Sequence, residues 1–122
     1  TTAALAFGGW LDPANTAVTE EWNGTNWTEV NDLNTAKRAV RGMGTYTAAL
    51  AAGGYSTTLL ASTEDWNGVS WQETSDLNTA VSNGGSSGST SAGLYFGGGT
   101  PSNTGATEEW NVPSNTVKTL TD

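Results

Sequence analysis

The sequence predicts an all-β protein of about three antiparallel four-stranded units, each about 44 residues long, the first incomplete at its start. Three observations carry this expectation. The chain repeats itself in ordered copies, its short apolar runs are closed by glycine pairs and Asn-Gly turns, and apolar residues nowhere keep a helical spacing.

The repeat is read directly. Thr2-Ala3-Ala4-Leu5-Ala6-Phe7-Gly8-Gly9 returns as Thr47-Ala48-Ala49-Leu50-Ala51-Ala52-Gly53-Gly54, and more loosely as Ser91-Ala92-Gly93-Leu94-Tyr95-Phe96-Gly97-Gly98. Thr19-Glu20-Glu21-Trp22-Asn23-Gly24 returns as Thr63-Glu64-Asp65-Trp66-Asn67-Gly68 and then as Thr107-Glu108-Glu109-Trp110-Asn111. Trp27 matches Trp71, and Asp32-Leu33-Asn34-Thr35-Ala36 matches Asp76-Leu77-Asn78-Thr79-Ala80. The units fall at 1–44, 45–88 and 89–122.

Within a unit, Ala3 to Phe7 reads as a buried strand closed by Gly8-Gly9. Ala17 to Trp22 and Trp27 to Val30 read as a hairpin turning at Asn23-Gly24. Arg41 to Thr45 is a Gly-rich strand packed where side chains must be small. Unit 1 lacks this Gly-rich strand, so the sequence offers eleven strands, one short of three complete sheets. A lone four-stranded sheet leaves an apolar face uncovered, and stacking sheets radially into a propeller covers it. Trp22 with Trp27, and Trp66 with Trp71, are the expected filling between sheets.

Composition narrows the chemistry. Charged residues are 13% of the chain and the net charge is −8, an acidic balance that argues against nucleic acid and anionic membranes as partners. There is no Cys and no His, which removes thiol chemistry and the commonest general base and metal ligand. No apolar run approaches the ~18 residues of a spanning helix, and no signal peptide is visible. The chain opens at Thr1 in the middle of a pattern, so it is expected to be a segment of something longer or a self-assembling piece.

These residues resemble the kelch repeat: a glycine pair ends one strand, an aromatic follows about a dozen residues later, a Trp comes soon after, and a Leu-x-x-x-Arg segment leads onward. Here Gly8-Gly9 is followed by Trp22, Trp27, Leu33 and Arg38, and Gly53-Gly54 by Trp66 and Trp71, while Gly97-Gly98 leads to Trp110. The departures are Trp in place of the usual Tyr, Ser82 at the Arg position of unit 2, and no second Trp in unit 3, where Asn111 to Asn115 forms the turn. The stretches Thr19 to Trp27, Asp32 to Ala36, Thr47 to Gly54 and Asn111 to Leu120 further resemble repeats of structural, tail-associated proteins of marine bacteriophages. The resemblance implies a kelch-like β-propeller and a structural role for Arg38, paired with a carboxylate. Gly8, Gly9, Trp22, Trp27, Gly53, Gly54, Trp66, Trp71, Gly97, Gly98 and Trp110 are its repeat-defining residues.

Candidate chemistry is sparse. Glu20, Glu64 and Glu108 recur at one position, and Glu21, Asp65 and Glu109 at the next. They read as copied surface charges rather than a cation site, because neighbours on a strand point to opposite faces. Lys37, Arg38 and Arg41 read as a solvated loop. The glycine pairs do not form a phosphate loop. Without His and Cys the segment cannot build the copper site of kelch-type oxidases. The expectation is a non-enzymatic structural or interaction module without cofactor, virion-borne or extracellular. Its partners would be other structural subunits or a surface glycan, met at the loops Asn83 to Ser91 and Gly99 to Gly105. The alternative is a non-catalytic segment of a glycan-active propeller enzyme.

Overall fold

The computed structural model describes residues 2–111 and 116–120. The described residues form eleven strands and no helix: β1 (Ala4–Leu11), β2 (Ala14–Trp22), β3 (Trp27–Val30), β4 (Arg41–Thr45), β5 (Ala48–Ala52), β6 (Thr63–Trp66), β7 (Trp71–Thr74), β8 (Gly85–Gly88), β9 (Ala92–Phe96), β10 (Thr107–Asn111) and β11 (Thr116–Leu120). They pair in sequence order as three antiparallel sheets, β1-β2-β3, β4-β5-β6-β7 and β8-β9-β10-β11. The second and third sheets pair a Gly-rich strand, β4 or β8, with the strand that follows it; sheet 1 has no such strand beside β1. The turn expected over Asn111 to Asn115 falls largely on 112–115, outside the described residues.

Burial along the strands reports the layering. β5, in the middle sheet, is apolar without alternation, and four of its five residues are buried. Such a run fits a strand covered on both faces. β9, in the third sheet, alternates exposed and buried residues, as a strand with one covered face does. One core cluster, Leu33, Ala49, Ala51, Trp66 and Trp71, receives Leu5, Phe7 and Ala17 of sheet 1. A second, Ala52, Leu77, Val81 and Tyr95, lies between sheets 2 and 3.

The segments linking the sheets are clamped by hydrogen bonds that repeat with the sequence. Leu33 N donates to Ala17 O at 2.9 Å and Leu77 N to Ala61 O at 2.8 Å. Gly9 N donates to Lys37 O and Gly54 N to Val81 O, both at 2.8 Å. The indole of Trp66 donates to Tyr46 O and that of Trp110 to Thr90 O. Equivalent residues therefore make equivalent bonds from one unit to the next.

Two local expectations are corrected and one is met. The pair Gly8-Gly9 does not end β1. The two glycines, at φ 67° and 131°, bend the strand through a register shift, and it continues to Leu11 opposite Ala14. The hairpin between Ala17 to Trp22 and Trp27 to Val30 forms as expected, with Trp22 paired to Trp27 across a four-residue loop. Asn23 Oδ1 accepts from the backbones of Thr25 and Asn26, each at 2.9 Å, and Asn67 does the same in unit 2. Finally, Asn83 to Ser91 is not a loop throughout, since Gly85–Gly88 is strand β8. Glycine is needed there because the ring of Phe96 lies where a Cβ on Gly85 would sit.

Candidate functional site

The repeat-defining residues divide into framework and surface. Gly8, Gly53 and Gly98 each press against the backbone of a linking segment, where a Cβ would meet Lys37 O at 2.7 Å, Val81 O at 2.5 Å and Ser82 O at 2.5 Å. Gly54 does likewise against Arg38 O, whereas Gly9 and Gly97 have room but keep positive φ. Trp66, Trp71 and Trp110 are buried as expected. Trp22 is half-buried, and Trp27, expected as filling between sheets, is 50% exposed. The reason is that Trp71 is covered from sheet 1 by Phe7, while among the described residues no sheet lies over Trp27.

The recurring acids are not surface charges throughout. Glu64 and Glu108 are buried, and each accepts the backbone N–H of the linking segment before it: Asn34 N to Glu64 Oε1 and Asn78 N to Glu108 Oε1, both at 2.6 Å. Glu20, at the same repeat position, is exposed. Among the described residues no cluster of three or more acids could hold a metal ion. Glu64 also meets Lys37, Nζ to Oε2 at 2.9 Å, with both side chains fully buried. This corrects the solvated-loop reading of Lys37. It also corrects the expected role of Arg38, whose immediate neighbour makes the carboxylate pair instead. Arg41 is likewise tied down, its Nε donating to Gly84 O.

Arg38 does something different. Its guanidinium lies 4.5 Å from the ring of Trp10 and 4.7 Å from that of Tyr55, and its Nη1 donates to Asn15 Oδ1 at 3.2 Å. Asn15 Nδ2 in turn donates to Ser56 O at 3.0 Å. The turns that follow the glycine pairs of units 1 and 2 are thereby joined through one cation and two aromatic rings. Backbone bridges hold the same edge: Arg38 with Tyr55, and at the equivalent positions Ser82 with Gly99.

Beside this stack opens a cleft of about 570 Å³, lined by Tyr55, Ser82, Asn83, Pro101, Asn103 and Thr104 among others. Part of the loop Gly99 to Gly105, singled out in the sequence, forms its far wall. The lining offers amide, hydroxyl and phenol groups for hydrogen bonding. Asn83 has φ 61°, but Ala39, at the equivalent position of unit 1, has φ 55°. The left-handed backbone therefore belongs to the repeat rather than to the cleft. Deeper in the fold, burial pushes the Tyr95 phenol up from its ordinary value of 10.0, and Gly84 N donates to its oxygen at 3.3 Å. Sequence reasoning missed Trp10, Tyr55 and Lys37. Lys37 and Tyr55 are matched by Val81 and Gly99 one repeat on, so a search for repeated residues passes over them.

No family model and no curated protein matches the sequence. Among solved structures, that of YjhT is similar in fold, with a TM-score of 0.82 over 98% of this chain at 14% sequence identity. The chain spans 43% of the YjhT chain's length. At that identity the likeness establishes a shared fold and no shared activity.

Proposed function

We propose that this chain is part of a kelch-like β-propeller that serves as a non-catalytic structural and recognition module, virion-borne or extracellular, reading a neutral glycan at its loop edge. The repeated sheet-to-sheet bonding supports the propeller reading, because each sheet is set on the next by the same contacts.

The observation that carries the binding reading is the Trp10–Arg38–Tyr55 stack, whose Tyr55 also lines the open cleft. Half-exposed Trp10, stacked on Arg38, offers an apolar platform for a sugar face, and the amides and hydroxyls of the cleft that Tyr55 lines suit the sugar's hydroxyls. The net charge of −8 disfavours polyanionic ligands and leaves neutral sugars as the better match.

The test is a glycan array carrying neutral and acidic oligosaccharides, followed by calorimetry on the best binder. Binding of a neutral oligosaccharide is expected, with affinity falling at least about tenfold, or about 1.4 kcal/mol, in Trp10→Ala and in Asn103→Ala. Retention of only acidic sugars, or binding insensitive to both changes, would count against the reading.

A further inference from the structure

The two outer sheets carry aromatic residues of the kinds that the junction between sheets 1 and 2 pairs. Between sheets 1 and 2, Phe7 packs edge-on against Trp71, with ring centroids 4.8 Å apart, and Trp71 Nε1 donates to Thr19 Oγ1 at 3.0 Å. Trp71 is 5% exposed as a result. Unit 2 has Ala52 at the Phe7 position, and the sequence of unit 3 has no second Trp for it to meet. Unit 3 again has a phenylalanine there, Phe96, and it is 41% exposed. The remaining second-position Trp in the chain is Trp27 of unit 1, 50% exposed.

Trp27 is already in the pose its buried counterpart adopts. The Trp22–Trp27 centroids are 5.4 Å apart at 46°, and the Trp66–Trp71 centroids 5.3 Å apart at 48°. On the opposite outer face, Thr107 holds the position of Thr19, on the strand that pairs with Phe96. Sheet 3 therefore presents a phenylalanine and a threonine, and sheet 1 presents the tryptophan that these two residue types cover inside the molecule.

From this complementarity we infer that two copies of this chain associate head to tail, sheet 3 of one copy seating on sheet 1 of the other, with Phe96 against Trp27 and Thr107 receiving the indole N–H. The contact joins different patches on the two copies and is therefore heterologous. It rests on the repeated sheet packing and is independent of the glycan reading.

The experiment is light scattering after size exclusion on the 122-residue chain, from micromolar concentration upward. A species of twice the 12.5 kDa chain mass is expected, accumulating with concentration. Trp27→Ser and Phe96→Ser should each elute at the single-chain mass with circular dichroism that still reports the folded sheets, because each side chain is only about half covered within one copy. Mixing the two variants restores one intact Phe96–Trp27 joint, so the mixture should associate more than either alone. Trp10→Ala should associate like the parent chain. A parent chain that stays at single-chain mass throughout would overturn the inference and leave the face to another occupant. So would variants that associate as well as the parent, or a mixture no better than its parts.

Discussion

Lys37 and Glu64 form an ion pair with no access to water, and their surroundings determine what each can lose. Glu64 Oε1 also accepts from Asn34 N and Asn34 Nδ2, so the carboxylate serves the linking segment as well as the cation. Removing one member of a buried pair strands the other charge and costs about 3–5 kcal/mol, whereas removing both charges together is often nearly neutral. Lys37→Met is therefore expected to lose stability on that scale in urea unfolding, and Lys37→Met with Glu64→Gln to regain most of it, since glutamine still offers an acceptor to Asn34. A single variant within about 1 kcal/mol of the parent would show that the pair is not isolated from water. Unit 2 displays the apolar solution: Val81 stands at the Lys37 position, and Glu108 is satisfied by Asn78 N and Thr79 N. The sequence revealed the recurrence of Glu20, Glu64 and Glu108, but not that two are buried. Burial depends on which sheets have a neighbour, and that is not a property of the local residues.

At the scale of elements, the strands were legible because a glycine pair punctuates every unit and Asn-Gly turns and paired tryptophans punctuate units 1 and 2. The continuation of β1 through Gly8-Gly9 was not, since a glycine pair serves equally to end a strand or to bend it. The Gly-rich strands show what the glycines are for. A Cβ on Gly42 in β4 would meet the ring of Phe7 in sheet 1. At the next junction the equivalent positions hold Ser86 and Ala52, so a larger residue in the Gly-rich strand goes with a smaller one at the Phe7 position. Gly42→Ala should cost about 1–3 kcal/mol as an overpacked contact. Phe7→Ala in the same chain should make room, so the double variant should lose less than the two single losses added. Thermal unfolding of the four proteins measures this coupling, and simple additivity would mean that the ring moves aside freely.

For the whole molecule, the arrangement of three sheets with shared junctions was legible from the period of the repeat, while the loop-edge stack was not. Trp10, Arg38 and Tyr55 lie in different parts of the sequence and meet only because the sheets are set side by side. Acidity is the other global property. Burial pushes the carboxyls of Asp65 and Glu73 up from ordinary values of 3.8 and 4.5, and for Glu73 the nearby charges of Glu64 and Asp76 add to the shift. A carboxyl whose folded value is raised binds its proton more tightly in the folded state. Its ionisation therefore opposes folding at pH above the raised value, and that opposition is relieved as the pH falls through it toward the ordinary value. The net charge of −8 acts in the same direction, since protonation lessens self-repulsion. Replacing Asp65 with asparagine removes one such group. Asp65→Asn should accordingly be more stable than the parent near neutrality, by a modest margin because the group is only partly buried, and the gap should close as the pH is lowered from about 8 to about 4. Urea midpoints across that range test the sign: a variant that is less stable near neutrality, or a gap that widens in acid, would mean that the Asp65 carboxylate is held by a favourable partner rather than penalised by burial.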